Sequence, residues 1–144
     1  MGISGGDAPR EEKRKVSVGI NGASGRIGKF VAYELVSQPE VQLTAINDLA
    51  TIEQIVVAYT HKDSVHGRLD WNVMRTGDHD IMINGMRVKV YHEKDPARIA
   101  WQETGVRIVE ECTGMFTKVA TASAHLHDGV ERVVLSAPGE GEGL

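Results

Sequence analysis

A glycine-rich segment near the start of the sequence constrains the fold most strongly. Gly22, Gly25 and Gly28 recur every three residues, after an apolar run at residues 16–20 and before a stretch whose apolar residues have helical spacing. Glycines let a chain turn sharply between a strand and a helix, and they let the backbone approach a bound group. The first N–H groups of the following helix, at its positive dipole end, can then receive an anion. The segment predicts a strand, turn and helix that hold a phosphate group.

Asp48 stands twenty residues after Gly28 and follows a second apolar run, residues 41–47. In a dinucleotide-binding βαβ unit, an acidic residue at about this distance accepts hydrogen bonds from the adenosine ribose. Its charge would repel the 2′-phosphate of NADP, so it favours NAD. The glycines have the spacing G-x-x-G-x-x-G instead of the common G-x-G-x-x-G. The turn is therefore one residue longer than usual.

The remaining sequence alternates strand and helix patterns. Apolar periodicity predicts strands at residues 16–21, 41–46, 106–110 and 133–135, and helices at residues 26–37, 51–59 and 117–126. Thr51 or Asp48 would cap the second helix and Thr117 the third, and Asp95 with Pro96 would open a short helix toward Trp101. Asn84-Gly85 lies between two β-rich runs and predicts a tight hairpin. The pattern predicts an α/β fold of the Rossmann type: a doubly wound, mostly parallel sheet with an antiparallel hairpin insertion.

Composition excludes several classes of protein. The 144 residues suffice for about one domain, so we expect a flexible tail at residues 1–14 and one domain over residues 15–144. The net charge of −4, with scattered Lys and Arg, argues against a specific nucleic-acid binder. The sequence has no apolar run of membrane-spanning length. One cysteine permits no intrachain disulfide, and with no secretory signal we expect a cytoplasmic protein.

The remaining reactive residue types give no catalytic or metal site. Cys112 lies at a strand end without a basic neighbour in sequence, so we predict a buried, unreactive thiol. His125 and His127 are two residues apart and would not share a helix face, which makes them a poor metal pair. We interpret His127 as a solvated helix end, and Trp71 and Trp101 as packing residues.

Eight segments together resemble the N-terminal, NAD-binding portion of glyceraldehyde-3-phosphate dehydrogenases. They occur in the family's order and with its approximate spacing, at residues 18–28, 45–48, 63–67, 83–85, 93–96, 111–117, 124–126 and 132–138. The likeness covers about residues 16–144. It departs from the family in the turn, where Ala23 and Ser24 stand in place of one aromatic residue.

The resemblance implies NAD as the cofactor and assigns roles around it. Those roles fall to Asn21, Gly22, Gly25, Arg26 and Ile27 at the pyrophosphate, Asn47 and Asp48 at the adenosine ribose, Glu93 and Lys94 beside the adenine, Thr113, Gly114 and Phe116 beneath the middle of the cofactor, and Ser136 and Ala137 near the nicotinamide ribose.

The resemblance also implies an activity for the full enzyme. The family oxidises glyceraldehyde 3-phosphate to 1,3-bisphosphoglycerate in glycolysis, through a thiohemiacetal and hydride transfer to NAD, as a homotetramer. Its nucleophilic cysteine and partner histidine follow the segment matched here. We therefore expect an incomplete cofactor domain that lacks its final strand, the catalytic domain and any catalytic residue, and that self-associates. Two alternatives are open: the cofactor domain of another NAD(P) dehydrogenase, such as an erythrose-4-phosphate or semialdehyde dehydrogenase, and a truncated, non-catalytic interaction module.

Overall fold

The computed structural model describes residues 15–61, 71–115 and 122–136. The strands are β1 (Val16–Asn21), β2 (Val41–Asn47), β3 (Val73–Arg75), β4 (Asp80–Ile83), β5 (Met86–Tyr91), β6 (Ile108–Glu111) and β7 (Arg132–Leu135). The α-helices are α1 (Arg26–Val36) and α2 (Ile52–Thr60), and short 3₁₀ helices cover Pro96–Arg98, Trp101–Thr104 and Ser123–His125. None of the described helices has the length and apolarity needed to cross a bilayer.

The described strands form one sheet in the order β3-β4-β5-β2-β1-β6-β7. Strands β5, β2, β1, β6 and β7 run parallel, and β3 and β4 join them in antiparallel pairing. The chain first builds outward from β1 through β2 and then returns to place β6 on the other side of β1. This reversal is the mark of a doubly wound sheet, and ligands bind beyond the carboxyl ends of the strands at that point. The predicted Rossmann-type fold is confirmed, whereas the lack of a final strand stays a prediction.

The predicted hairpin joins β4 and β5. Asn84 and Gly85 form its two-residue turn, and both have positive φ, 51° and 83°. A type I′ turn requires this backbone conformation at both positions, which Asn and Gly adopt at the least cost. The hairpin therefore extends the parallel sheet with antiparallel strands, as the sequence predicts.

The two α-helices pack on one face of the sheet. Helix α1 buries Gly28, Ala32 and Leu35 along a single face, and it ends before Pro39. Helix α2 begins with a capping box, in which Thr51 Oγ1 accepts from the Gln54 N–H at 3.1 Å and the Gln54 side chain accepts from the Thr51 N–H. Of the two caps that the sequence allowed for α2, the structure selects Thr51 over Asp48.

Two clusters of buried side chains pack against the sheet. The larger contains apolar residues of α1 and α2 with Val18 and Ile20 of β1, and the smaller is centred on Ile99 and Trp101 with Val109 of β6. Neighbouring residues of a strand point to opposite faces. Strands β2 and β6 contribute residues to both clusters, and Gly19 of β1 faces the Trp101 ring of the smaller one, so both faces are covered, as a parallel sheet requires.

Two predicted elements need correction, and a third is described only at its end. The strand expected at residues 106–110 spans Ile108–Glu111, because the Val106 N–H still bonds to the Trp101 carbonyl at 3.2 Å in the preceding turn. The helix expected between Pro96 and Trp101 is instead two 3₁₀ turns, separated at residues 99–100. The described end of the helix expected at residues 117–126 has Ala122 in α-helical conformation, followed by the Ser123–His125 3₁₀ turn. The start of that segment and the predicted tail lie outside the described residues.

Candidate functional site: a cavity at the carboxyl edge of the sheet

A cavity of about 320 Å³ lies beyond the carboxyl ends of β1, β2 and β6. This is the point at which the strand order reverses, where a doubly wound sheet binds its ligand. The residues that line it belong to the glycine turn and to the segments after β2, β5 and β6: Asn21, Gly22, Ser24, Gly25, Asn47, Asp48, Leu49, Glu93, Lys94, Cys112, Thr113 and Met115.

Most of the predicted site residues meet at this cavity. Eight of them line it: Asn21, Gly22, Gly25, Asn47, Asp48, Glu93, Lys94 and Thr113. Arg26 and Ile27 form the first turn of α1, and Gly114 follows Thr113 with a φ of 78°. Ser136 lies beyond β7, where its hydroxyl donates to Glu110 at 2.8 Å. Phe116 and Ala137 lie outside the described residues.

The glycine turn packs tightly against the start of α1. Gly22 has a φ of +84°, and a Cβ atom there would come within 2.7 Å of the Thr113 side chain. A Cβ atom on Gly28 would lie 2.1 Å from the Gly22 carbonyl oxygen. The Gly22 N–H donates to the Asn47 carbonyl at 2.8 Å, which ties the turn to the end of β2. These contacts hold the start of α1, whose first N–H groups have no partner within the helix, close to the end of β2.

The two residues that lengthen the turn point in different directions. Ala23 is fully buried, and its carbonyl accepts a hydrogen bond from the Tyr59 hydroxyl at 2.9 Å. Tyr59 is itself fully buried and stacks on Trp71 with ring centres 5.0 Å apart. Ser24 is only half-buried and faces the cavity. The longer turn therefore keeps an anchor in the core and adds one hydroxyl to the site.

The Asp48 carboxylate is already hydrogen-bonded within the chain. Its Oδ2 accepts from the Ser24 N–H at 2.8 Å and from the Ser24 hydroxyl at 2.9 Å. Its Oδ1 accepts from the Ala50 N–H at 2.9 Å. These bonds fix the orientation of the carboxylate at the wall of the cavity. The sequence predicts the position of Asp48 at the strand end but not its bonds to Ser24.

Two asparagines join the strand ends below the cavity. Asn47 Nδ2 donates to Asn21 Oδ1 at 2.8 Å and to the Glu93 carbonyl at 2.9 Å, while Asn47 Oδ1 accepts from the Glu93 N–H at 2.8 Å. Both asparagines are buried. Asn47 thereby holds the segment after β5 against β2, and this places Glu93 and Lys94 at the cavity wall.

Glu111 carries a buried negative charge at the end of β6. It is 1% exposed, and its carboxylate accepts hydrogen bonds from Asn21 Nδ2 at 2.9 Å, His125 Nε2 at 2.7 Å and the Thr113 N–H and hydroxyl at 3.0 and 2.5 Å. Burial raises the pKa of Glu111, but the bonds from His125, Thr113 and Asn21 outweigh burial and hold that pKa below its ordinary value. The Glu111 charge therefore orients the side chains of Asn21, at the end of β1, and Thr113, after β6, both of which line the cavity.

His125 acts as a neutral donor to that carboxylate. Trp101 Nε1 donates to His125 Nδ1 at 3.2 Å, so the ring proton lies on Nε2 and points to Glu111. The interpretation of His127 as solvated is wrong, because this side chain is only 21% exposed and its Nε2 lies 3.2 Å from the Pro96 carbonyl oxygen. Within the described ranges, no group of three or more His, Cys, Asp or Glu side chains is placed to hold a metal ion.

Comparison with known proteins agrees with this architecture. Residues 16–119 match the family model described as the NAD-binding domain of glyceraldehyde 3-phosphate dehydrogenase. The chain belongs to the glyceraldehyde-3-phosphate dehydrogenase family. It is 47% identical over 124 residues to the glyceraldehyde-3-phosphate dehydrogenase of Coccidioides immitis, which covers 85% of this chain and 36% of that protein. It is 43% identical over 129 residues to glyceraldehyde-3-phosphate dehydrogenase 1 of Bacillus subtilis, which covers 90% of this chain and 38% of that protein.

The chain thus spans a little over a third of the length of these dehydrogenase relatives. The matched region is the part that the family description calls NAD-binding, and in this chain it contains β1 to β6 with the cavity. The family resemblance and the cofactor class that the sequence predicts are confirmed.

Cys112 lines the cavity but is not an activated thiol. It is 7% exposed, and burial, followed by the charges of Glu110 and Glu111, raises its pKa to about 12. A thiol of this kind is almost wholly protonated near neutral pH, whereas a nucleophilic cysteine needs its thiolate. The predicted burial of the thiol is confirmed, and its lack of reactivity stays a prediction.

Sequence reasoning missed four residues that shape the site: Ser24, Leu49, Met115 and Glu111. Ser24 could have been found from the extra residue in the turn, since an inserted polar residue has to face solvent or ligand. Leu49 and Met115 are 63% and 71% exposed apolar side chains beside polar strand ends. The buried charge of Glu111 gives no sequence signal, because two of its partners, Asn21 and His125, lie 90 and 14 positions away.

Proposed function

We propose that this chain binds NAD in the cavity at the carboxyl edge of its sheet, as the cofactor portion of a glyceraldehyde-3-phosphate dehydrogenase. The pyrophosphate would lie over the glycine turn at the start of α1, and the adenosine ribose on the Asp48 carboxylate. One observation carries this proposal: Asp48 and the glycine turn, at the ends of the adjacent parallel strands β2 and β1, line the same cavity. That arrangement is the one used for dinucleotides in doubly wound sheets.

Other residues at the cavity would contact the adenine, the pyrophosphate and the nicotinamide half of NAD. Leu49 and Met115 are exposed apolar side chains among the lining residues, and they suit the flat faces of an adenine. Backbone N–H groups of Arg26 and Ile27 would receive the pyrophosphate. Contacts of Thr113, Gly114 and Phe116 with the middle of NAD, and of Ser136 and Ala137 with the nicotinamide ribose, are proposed from the family resemblance.

Asp48 would also make the site prefer NAD to NADP. Its carboxylate can accept hydrogen bonds from ribose hydroxyls, whereas a 2′-phosphate would place a second negative charge within a few ångströms of it. Lys94 is the cationic side chain among the lining residues, but Glu93 precedes it directly. The balance of charge at the cavity is therefore unfavourable for an additional phosphate.

The oxidation of glyceraldehyde 3-phosphate in glycolysis is a proposal for the full-length relative and not for this chain acting by itself. NAD supplies a hydride acceptor when bound, and the residues described here would bind and orient it. The chain has one cysteine, Cys112, whose raised pKa leaves it protonated. We therefore expect NAD binding without turnover. Detectable NADH production by the purified chain with glyceraldehyde 3-phosphate and phosphate would contradict this.

Isothermal titration with NAD tests the binding proposal, with Asp48→Asn as the decisive variant. The substitution keeps the shape of the side chain but removes its charge, and we expect a loss of affinity of about tenfold or more and a reduced preference for NAD over NADP. Asp78→Asn is the matched control, since Asp78 is exposed and pairs only with Arg75 at 3.3 Å among the described residues. Equal NAD affinity in the wild-type chain and Asp48→Asn would contradict the proposal.

A cytoplasmic location and self-association complete the proposal. The location is supported by the family resemblance and by the single cysteine. Self-association is supported by β7, which lies at the edge of the described sheet and exposes Val134, because an unpaired edge strand can pair with another chain. Light scattering after gel filtration tests this, and a monomer at all protein concentrations would contradict it.

A further inference from the structure

We propose that the Ser24 hydroxyl competes with the adenosine ribose for the Asp48 carboxylate, and so sets the affinity of the cofactor site. The inference rests on the proposed NAD binding and adds a residue that determines its strength. It starts from the unusual turn, in which Ser24 is part of the lengthened segment between Gly22 and Gly25.

Counting acceptor sites shows the conflict. A carboxylate oxygen accepts about two hydrogen bonds. Asp48 Oδ2 already has two, from the N–H and the hydroxyl of Ser24 at 2.8 and 2.9 Å. Oδ1 accepts one, from the Ala50 N–H at 2.9 Å. One acceptor position therefore remains within the described structure, whereas a ribose that donates both hydroxyls to the carboxylate needs two.

Only one of the three bonds that the carboxylate accepts can be released at low cost. The N–H groups of Ser24 and Ala50 belong to the backbone, and the Ser24 N–H is fixed by a turn whose neighbours Gly22 and Ala23 both donate to the Asn47 carbonyl. The Ser24 hydroxyl can leave Oδ2 by rotation about a single bond. Ribose binding therefore exchanges the serine O–H···Oδ2 bond for a ribose O–H···Oδ2 bond. The energy that the second ribose hydroxyl would otherwise contribute is largely lost in this exchange.

The test compares the wild-type chain with Ser24→Ala, which keeps the backbone N–H bond and removes the competing hydroxyl. Calorimetric titration with ADP, which has a pyrophosphate and both ribose hydroxyls, should show binding about fivefold tighter to Ser24→Ala, since a net hydrogen bond is worth about 1 kcal/mol. The same gain is expected with NAD. With 2′,3′-dideoxy-ADP, which lacks both hydroxyls, the two proteins should bind equally.

Ser37→Ala is the matched control. The Ser37 hydroxyl also makes one hydrogen bond, to the Glu34 carbonyl at 2.9 Å, but it lies at the exposed end of α1 away from the cavity. Its affinity for ADP should equal that of the wild-type chain. Circular dichroism and the urea midpoint of Ser24→Ala establish that the variant is folded before its affinity is compared.

The remaining outcomes separate this inference from the proposed function. Weaker or unchanged ADP binding to Ser24→Ala, with normal NAD binding by the wild-type chain, would overturn the competition and leave NAD binding intact. Weaker binding would mean that Ser24 supports the ribose site. A gain that persists with 2′,3′-dideoxy-ADP would also overturn it, because the gain would not come from the ribose hydroxyls. Absence of NAD and ADP binding by both proteins would overturn the proposed function and the inference with it.

Discussion

Asn21 and Glu111 are joined by a buried hydrogen bond of 2.9 Å, from the side-chain amide of one to the carboxylate of the other. Asn21 ends β1 and Glu111 ends β6, the two neighbouring strands between which the order of the sheet reverses. The bond therefore connects the two walls of the cavity. Asn21 in turn accepts from Asn47 at the end of β2, so three strand ends depend on one buried charge.

Replacing Glu111 with Gln should destabilise the protein strongly. The new amide would present a donor where Asn21, Thr113 and His125 all donate, so at least one buried donor would lose its acceptor. We expect the free energy of unfolding in urea to fall by about 3 kcal/mol. Glu131→Gln is the control, because Glu131 is exposed and solvent screens its pairing with Arg107, so this substitution should change the stability little. Equal stability of both variants would contradict the role given to Glu111.

The carboxyl groups of Glu110 and Glu111 should make the stability of the protein depend on pH in opposite directions. The folded pKa of Glu111 lies below the ordinary value of 4.5, so its stabilising contribution is present above pH 4.5 and is lost as the pH falls through the folded pKa. Burial raises the pKa of Glu110, against a smaller opposing effect of the Ser136 hydroxyl. The contribution of Glu110 is therefore present below pH 4.5 and is lost as the pH rises through its folded pKa.

Urea unfolding at a series of pH values checks these signs. Glu111→Gln should reduce the loss of unfolding free energy on the acid side of pH 4.5, whereas Glu110→Gln should reduce the loss on the alkaline side. If both variants reduce the pH dependence of the unfolding free energy on the same side of pH 4.5, the assignment of the two pKa directions is wrong.

Substituting Gly28 tests the packing of the turn on α1. A Cβ atom there would lie 2.1 Å from the Gly22 carbonyl oxygen, a backbone atom that cannot move without shifting the turn. Gly28→Ala should lower the free energy of unfolding by about 3 kcal/mol. Gly25→Ala is a close control, since Gly25 has a φ of −74° and its Cβ would be 3.9 Å from the nearest heavy atom. A Gly28→Ala variant as stable as Gly25→Ala would refute the close approach.

The reactivity of Cys112 should reflect its burial. Raising the pKa of the thiol from 9.0 to about 12 reduces its thiolate fraction about a thousandfold near neutral pH. Ellman's reagent should therefore react far more slowly with the native chain than with the chain in urea, where the thiol has its ordinary pKa. Comparable rates in the two conditions would show an accessible, activated thiol and would reopen a catalytic role for Cys112.

Much of the fold can be predicted from this sequence because its signals are local. The glycine turn, the hairpin at Asn84 and the cap at Thr51 each depend on residues within a few positions of one another. The boundaries around Pro96 and Val106 could not be predicted, because they depend on how Trp101 packs beneath the sheet. Propensity gives no information about such tertiary contacts.

The candidate site, like the fold, could be predicted only where its signals are local in sequence. Asp48 could be predicted from its distance to the glycines, and the family resemblance supplied most of the other residues that line the cavity. The bond from Ser24 to Asp48 joins residues 24 positions apart in sequence, and the bonds of His125 and Asn21 to Glu111 join residues 14 and 90 positions apart. These residues pair because the folded sheet brings the strand ends together. Hydrophobic periodicity in the sequence does not predict such pairs.

A crystal structure of the chain with NAD tests the central proposal most directly. We expect the adenosine ribose oxygens within hydrogen-bonding distance of the Asp48 carboxylate, the pyrophosphate against the first N–H groups of α1, and the Ser24 hydroxyl turned away from Oδ2. Density for NAD outside this cavity, or an adenosine ribose that does not contact Asp48, would contradict the account.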